Sequence, residues 1–436
     1  MSQRQAAAGT ERGGEATLLL WDRRFWPLFW AQALGAFNDN LLKGAVVLIA
    51  VYQAPAGSGA AVAMVAGALL VLPFLLFSAL AGQLADRLPK PRLVRRLKAV
   101  ELAVAILGAG ALLAGDLAWL LLVVFLMGTQ SAFFGPLKYG LLPEYFRERE
   151  LLSANAYVEA STFLVILLGT IGGSLLVSFA GGRALVAAAV VLVALAGYLA
   201  SRFLPPRPAQ APGLALRFNP LSACAEVLSY VVARRELRRT VLGISWFWAI
   251  GGIYLTQVPA YARDVLGAEE RTATLLLALF VIGIAAGAGG VRLALRGRVR
   301  LWPVPWAMLL VALWGLDFAL LAGSIVPAQA PLDLARLWQL DWAPRLMADL
   351  FLLAFFGGAF AVPLYAHLQL HSAPTHVARS IAANNILNAL FLVGSAILTA
   401  ALLYAGMAVP DLLAGLALAN LAAAALGFLW FRKRPV

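Results

Sequence analysis

A cluster of polar side chains interrupts the first long apolar run of the chain, at residues 25–52. Asp39 and Lys43 lie four positions apart, so on a helix the carboxylate and the ammonium share one face and can partly neutralise each other. Asn38 and Asn40 flank Asp39 and widen the polar stripe. Ionised side chains facing lipid are costly, so the stripe must face a cavity or another helix. It is therefore either the lining of a binding cavity or an ion pair that joins helices.

The composition shows what surrounds this stripe. The chain has 436 residues, of which 62% are hydrophobic and 13% are charged. Globular domains are roughly 45–50% apolar and about 25% charged. Apolar runs recur along the whole chain, and many reach the ~20 residues that a helix needs to cross a bilayer. The sequence predicts an all-α polytopic membrane protein.

Several classes of protein chemistry find no support. The single cysteine, Cys224, excludes an intramolecular disulfide and a thiol-based metal cluster. His367 and His371 have ligand spacing but no acid or thiol close in sequence. No phosphate-binding Gly-x4-Gly-Lys-Ser/Thr loop and no nucleophile–base pair can be identified. We expect a protein that is not an enzyme and has neither cofactor nor resident metal; a coupling ion, H⁺ or Na⁺, remains open.

The net charge of +13 reports topology, because the basic residues gather in alternate loops and tails. This distribution opposes nucleic-acid binding and predicts cytoplasmic N- and C-termini, with no cleaved signal peptide. The inner basic residues are expected to face anionic lipid. They include Arg23, Arg24, Arg87, Lys90, Arg92, Lys98, Arg234, Arg235, Arg432, Lys433 and Arg434.

The spans divide evenly into two halves. We predict twelve membrane-spanning helices in two six-helix bundles, 25–204 and 238–431, with cytoplasmic tails at 1–24 and 432–436. A proline-rich cytoplasmic linker with an amphipathic helix, 205–237, joins the bundles. This organisation is that of the major-facilitator fold, in which the substrate site lies between the halves near the middle of the membrane.

Further polar residues lie on spans that line or border such a cavity. Lys138 and Tyr139 end the fourth span, and Tyr254 and Gln257 lie on the seventh. The fifth and eleventh spans carry matching polar pairs at i, i+4 spacing. These pairs are Asn155 with Glu159 and Asn384 with Asn388. We predict that all of these residues, with the stripe on the first span, contact substrate, although single Tyr and Asn residues are also common packing groups.

The loop after the second span, GQLADRLPKPR (82–92), resembles the major-facilitator signature. The resemblance marks Gly82, Asp86, Arg87 and Arg92 as gate residues, with Asp86 and Arg87 as an inner latch that contacts the other half. The alternative is a simple stop-transfer loop. The corresponding loop at 289–300 has the basic residues but no Asp, so only the first copy should form a latch.

Four stretches of the first half together resemble the bacterial lysophospholipid transporters. They are FNDNLLK (37–43), FGPLKYG (134–140), ANAYVEAS (154–161) and LGTIGG (168–173). In the second half, SWFW (245–248), FGG (356–358) and AANNILN (382–388) look like the transporter portion of fusions with acyltransferase and acyl-carrier-protein synthetase domains. We expect those enzymatic domains to be absent from this chain.

The resemblance implies a secondary transporter that moves lysophospholipids, such as lysophosphatidylethanolamine, from the outer to the inner leaflet of the bacterial inner membrane. Alternating access would deliver them for reacylation by a separate cytoplasmic acyltransferase. In this interpretation Lys43 and Lys138 bind the phosphate, and Asp39 and Glu159 bind the ammonium. The alternatives are a major-facilitator exporter of drugs or other amphipathic molecules and a non-transporting scaffold that docks an acyltransferase.

Overall fold

The chain folds into long helices joined by short connections. A computed structural model describes residues 19–53, 59–325 and 331–431, so most of the predicted N-terminal tail (1–18) and all of the predicted C-terminal tail (432–436) lie outside the described residues. The first half contains six long helices: α1 (Trp26–Gln53), α2 (Gly59–Arg87), α3 (Lys90–Ala114), α4 (Leu117–Tyr145), α5 (Glu148–Val177) and α6 (Gly182–Arg202).

A shorter helix, α7 (Pro220–Val232), lies within the segment for which the sequence predicts an amphipathic helix. Six long helices follow: α8 (Arg235–Asp264), α9 (Glu270–Leu295), α10 (Pro303–Leu321), α11 (Ala343–His371), α12 (Val377–Tyr404) and α13 (Val409–Trp430). Within the described residues, eleven helices are long and apolar enough to cross a membrane. The remaining long helix, α1, is 28 residues long and carries the polar stripe.

The connection between α3 and α4 shows how local sequence sets the helix ends. Gly115 follows α3 with a φ of 72°, a left-handed conformation that glycine adopts without steric cost. The next residue, Asp116, accepts a 3.0 Å hydrogen bond from the backbone N–H of Trp119 and so caps the start of α4. Two residues thus reverse the chain and make α3 and α4 antiparallel neighbours.

By the density of internal contacts the chain divides into two compact units. Unit 1 takes in α1–α6, α7 as far as Val231, and also Ser372–Ile386, the segment that contains the start of α12. Unit 2 takes in α8–α11, the rest of α12 and α13. Helix α12 therefore belongs to both units, and the predicted domain limits remain a prediction.

Close helix packing in each unit depends on glycine. In unit 1, a Cβ at Gly169 would lie 2.5 Å from the Phe37 carbonyl oxygen, and one at Gly173 would overlap the Leu41 carbonyl oxygen. In unit 2, a Cβ at Gly283 would lie 2.6 Å from the Phe351 carbonyl oxygen. Small residues let helix backbones approach closely in a membrane, where contact rather than hydrophobic burial joins helices. Glycine thereby brings α5 against α1 and α9 against α11.

Two of the basic residues assigned to the inner loops lie elsewhere. Lys90 and Lys98 are fully buried, so the expectation that they face solvent or lipid head groups is wrong. Lys90 Nζ lies 2.6 Å from Glu144 Oε1, and Lys98 Nζ lies 2.6 Å from Glu101 Oε2. Each ammonium is buried because an acid in the same unit neutralises it.

Gly173→Ala is expected to destabilise the protein by about 1–3 kcal/mol, because the added methyl meets backbone that cannot move aside. The matched control is Gly172→Ala, whose Cβ would lie 3.5 Å from Leu41 Cδ1, an ordinary contact. The control should be neutral or slightly stabilising, since alanine favours a helix by roughly 0.5–1 kcal/mol. Thermal unfolding of both variants in detergent measures the difference, and equal midpoints would contradict this account of the α1–α5 contact.

Candidate functional site

The polar stripe of α1 belongs to a chain of buried hydrogen bonds in unit 1. Asp39 accepts a short hydrogen bond from Ser131 Oγ in α4. The neighbouring Gln130 donates from Nε2 to Glu101 Oε2 in α3 at 2.8 Å, and Glu101 also pairs with Lys98. Gln130 and Ser131 are adjacent in α4, which brings the two parts together. Side chains from α1, α3 and α4 thus form one polar network.

The charges of this network balance. Asp39 interacts electrostatically with Glu101, Lys98 and Lys43, so two acids face two bases. Lys43, the partner predicted from the i, i+4 spacing, is half-buried and forms no ion pair within 4.0 Å among the described residues. Lys98 was missed because it lies near the basic loop, although Lys98 and Glu101 at i, i+3 within an apolar run are a recognisable signal.

Part of this network has unused hydrogen-bonding capacity. Among the described residues, Asp39 Oδ1 and Glu101 Oε1 are buried and lack hydrogen-bond partners, as do both amide atoms of Asn38. Asn40 differs from Asn38, because Asn40 Nδ2 donates a 2.8 Å hydrogen bond to the Ala36 carbonyl. The Asn40 Cβ atom also packs next to Gly169 of α5. The structure therefore keeps Asn38 and Asp39 with a polar cluster and places Asn40 in helix packing.

A second cluster joins α4 and α5. Glu159 is 1% exposed and accepts a short hydrogen bond from the Tyr139 hydroxyl. Lys138 Nζ lies 4.5 Å from the centroid of the Tyr139 ring, a cation–π contact, and interacts electrostatically with Glu159. Glu159 Oε2 has no hydrogen-bond partner among the described residues. One turn earlier, Asn155 donates to the Leu151 carbonyl at 2.9 Å. The structure thus brings a base, an acid and a phenol together.

The predicted residues of the second half fall into different surroundings. Asn384 belongs to unit 1, is fully buried, and both its amide atoms lack partners within the described part of the chain. Asn388 belongs to unit 2, where its Oδ1 accepts a 2.8 Å hydrogen bond from Ser245 Oγ. The two members of this i, i+4 pair therefore differ in their hydrogen bonding, although they lie one turn apart on α12.

Unit 2 also contains an apolar cavity beside Tyr254. The cavity is small, with a free volume of about 20 Å³. The Tyr254 ring is buried and lies 5.8 Å from the Phe280 ring. Gln257 lies one turn further along α8, with its Nε2 atom 3.4 Å from Thr256 Oγ1. The Oε1 atom of Gln257 is buried and has no hydrogen-bond partner among the described residues. The other lining residues include Phe247, Ile284, Val311, Leu353, Phe360 and Asn420.

The predicted gate residues lie against the start of α12. Asp86 accepts hydrogen bonds from Arg379 Nε at 3.2 Å and from the backbone N–H groups of Ala378 and Arg379 at 3.2 and 3.3 Å. A carboxylate at a helix N-terminus also interacts favourably with the helix dipole. A Cβ at Gly82 would lie 2.7 Å from Ala382 Cβ, which explains the signature glycine. Arg379, a lone base at the start of an apolar run, is the partner that the sequence analysis missed.

The other two gate candidates are not part of this contact. Arg87 is half-exposed and Arg92 is exposed, and neither forms an ion pair with an acid in the described ranges. Lys90 takes the position between acids instead, 3.8 Å from Asp86 and 2.6 Å from Glu144.

No metal centre accompanies these clusters: within the described residues, no group of three or more His, Cys, Asp or Glu side chains is placed to hold an ion. The His367 and His371 rings stack with their centroids 3.7 Å apart.

Comparison with known proteins places this arrangement. A family model described as Major Facilitator Superfamily matches residues 28–390. The chain is 30% identical over 356 residues to the lysophospholipid transporter LplT of Enterobacter sp. (strain 638), covering 80% of this chain and 81% of that protein. It is 31% identical over 361 residues to LplT of Cronobacter sakazakii, with 80% and 81% covered. The chain belongs to the lysophospholipid transporter family of the major facilitator superfamily.

Solved structures agree on the fold. The human organic anion transporter MFSD10 superposes with a TM-score of 0.71 at 17% identity, covering 92% of this chain and 99% of that one. FucP in its outward conformation superposes with a TM-score of 0.68 at 12% identity, covering 94% and 99%. At these identities the likeness concerns the fold alone. The major-facilitator fold predicted from the spans is therefore confirmed, and the family match makes the chain a polytopic membrane transporter.

Lys98→Met is expected to destabilise the protein by about 3–5 kcal/mol, because it leaves Glu101 as a buried charge without its base. The double variant Lys98→Met, Glu101→Gln should recover most of the loss, since it removes both charges and retains an acceptor for Gln130. Thermal unfolding in detergent measures both changes.

The control is Arg263→Ala, which breaks an exposed ion pair with Asp264 and should cost at most about 1 kcal/mol. A double variant as unstable as the single one would show that Lys98 does not act through Glu101.

Proposed function

We propose that this chain moves lysophospholipids, such as lysophosphatidylethanolamine, from the outer to the inner leaflet of the bacterial inner membrane by alternating access. Relatives that carry the lysophospholipid transporter name match it over four-fifths of both chains. The structural observation that carries the proposal is the cluster of Lys138, Tyr139 and Glu159, which holds both signs of charge inside a membrane protein. The head group that it would bind also carries both signs.

The chemistry of the head group assigns roles to the two clusters. Lys138 and Lys43 bind the phosphate, because an ammonium donates charge-assisted hydrogen bonds to its oxygens. Glu159 and Asp39 bind the ammonium, since each has a buried carboxylate oxygen without a partner in the described part of the chain. Asn38, Asn155, Asn384, Asn388, Tyr254 and Gln257 complete the proposed binding set.

The contact between Asp86 and Arg379 supports the alternating-access step. Alternating access requires a contact at the cytoplasmic side that forms in one state and breaks in another. Asp86 meets Arg379 through one side-chain and two backbone hydrogen bonds of 3.2–3.3 Å, all of which are lost together if α12 leaves α2. In this proposal Asp86 and Gly82 act as the inner latch.

The remaining features follow from the same proposal. Both termini lie in the cytoplasm, because the basic residues gather on that side. The delivered lysophospholipid is a substrate for reacylation by a separate cytoplasmic acyltransferase. Any coupling ion, H⁺ or Na⁺, would bind at Asp39 or Glu159. The transport cycle itself includes no covalent chemistry and needs no cofactor.

Glu159→Gln is expected to lower uptake of lysophosphatidylethanolamine about tenfold or more, because it removes the charge that pairs with the ammonium while Tyr139 keeps an acceptor. Uptake is measured with labelled lysolipid in spheroplasts of a strain that lacks its own transporter. The control is Glu148→Gln at the exposed start of the same helix, which should transport normally. Unchanged uptake by Glu159→Gln at equal expression would refute the assignment.

Head-group selectivity separates binding from packing. Lysophosphatidylglycerol has a phosphate but no ammonium. The Glu159→Gln variant should therefore take up lysophosphatidylglycerol at close to the wild-type rate while its uptake of lysophosphatidylethanolamine falls. Lys138→Gln should lower the uptake of both lipids by a similar factor, about tenfold, because both carry the phosphate. Equal losses of both lipids in Glu159→Gln would mean that Glu159 only supports the helices.

A further inference from the structure

The segment between α6 and α7 is bound to the membrane helices of unit 1. The Ala211 N–H donates to the Asp86 carbonyl at 2.8 Å, and the Arg217 N–H donates to Gln83 Oε1 at 2.8 Å. Nearer to α6, the Pro205 carbonyl accepts a 2.7 Å hydrogen bond from the Tyr145 hydroxyl. A linker that only tethers two bundles needs none of these contacts, and a proline-rich segment could remain extended in water.

Helix α7 continues this attachment. Ala223, Val227 and Val231, spaced four residues apart, are each 1% exposed and form the packed face of the helix. Cys224 Sγ lies 3.7 Å from the Leu75 carbonyl in α2. Helix α7 therefore contacts α2, the helix that carries the latch residue Asp86 in its last turn.

Glu226 of α7 is a second acid that contacts Arg379, beside the latch residue Asp86. Arg379 Nη1 lies 3.3 Å from Glu226 Oε1, while Arg379 Nε lies 3.2 Å from Asp86 Oδ2. Glu226 Oε2 lies 3.0 Å from Arg217 Nε, so the linker also holds its own acid in place. One guanidinium of α12, 8% exposed, is thus held between an acid of α2 and an acid of the linker helix.

A second contact lies beside the first. The Tyr230 ring stacks on the His376 ring with centroids 4.3 Å apart, and the Tyr230 hydroxyl lies 3.3 Å from the backbone nitrogen of Ala373. Ala373 and His376 lie in the four residues that precede α12. The linker helix therefore contacts the entry to α12 as well as its first turn.

We propose that residues 205–232 form a strap that is part of the cytoplasmic gate. Glu226 and Asp86 share Arg379, so the start of α12 leaves α2 only when it also leaves the strap. The strap holds the latch closed, and its release accompanies opening. This inference rests on the proposed alternating-access cycle and adds the linker to its moving parts.

The chain contains one cysteine, and it lies on the strap, so its labelling reports release without engineered thiols. The rate of maleimide labelling of Cys224 in purified protein is the measurement, with Cys224→Ser as the blank. Glu226→Gln should raise the rate about tenfold, the effect of losing one charge-assisted contact. Asp86→Asn should raise it as well, because the shared Arg379 is then held by one acid only.

The matched control is Glu236→Gln, an exposed acid in the first turn of α8, which should label like the wild type. Glu226→Asp, which keeps a carboxylate beside Arg379 and Arg217, should label more slowly than Glu226→Gln, a difference that a general loosening of α7 would not produce. Thermal midpoints of all variants identify any that fail to fold, and Arg217→Gln then replaces Glu226→Gln, with a smaller increase expected.

The two proposals fail separately. If Asp86→Asn leaves Cys224 labelling unchanged, or if folded Glu226→Gln labels at the wild-type rate, the strap is not part of the gate, whatever the lysolipid uptake. If wild-type protein moves no lysolipid but the labelling pattern holds, the strap remains and the substrate assignment is wrong.

Discussion

The burial of charge in a membrane protein is the constraint on which this structure depends. Unit 1 buries Asp39, Lys90, Lys98, Glu101 and Glu159, each of which would be costly to leave alone in hydrocarbon. Every one of them has a partner: a hydroxyl for Asp39 and Glu159, and an oppositely charged side chain for the other three. The helices that supply these partners must stay in register, so the polar contacts fix the arrangement of α1, α3, α4 and α5.

Close backbone packing makes this register attainable. Gly169 and Gly173 let α5 approach the backbone of α1, which holds the stripe of α1 and Glu159 of α5 in one unit. Gly82 does the same for α2 and the start of α12, where Asp86 reaches two backbone N–H groups. Van der Waals contact at glycine therefore positions the electrostatic contacts, and a methyl group at one such position would displace both.

The sequence predicted what depends on local pattern. Apolar run lengths predicted twelve membrane-spanning helices, and the described residues form twelve long helices, eleven of which are apolar enough to cross a membrane. The fold class and the family, which motif resemblance predicted, are confirmed. Roles of individual site residues remain predictions. Pairings between distant helices could not be predicted: Asp39 meets Ser131, 92 positions away, although Lys43 on the same helix face is nearer in sequence. The position of Lys98 was predicted wrongly because a basic residue near a cytoplasmic loop resembles the residues that set membrane topology. The pairing with Glu101 is what identifies Lys98 as a buried residue.

The separation between partners along the chain has a consequence for biosynthesis. Lys98 and Glu101 are three residues apart, so this pair can enter the bilayer with its two charges already neutralised. Asp39 emerges from the ribosome 92 residues before Ser131, which at about 5–20 residues per second is a wait of roughly 5–20 s. During that interval Lys43 is the cation closest to Asp39 in the nascent chain. The Lys43 ammonium therefore stabilises α1 most during insertion, before the later helices have been synthesised.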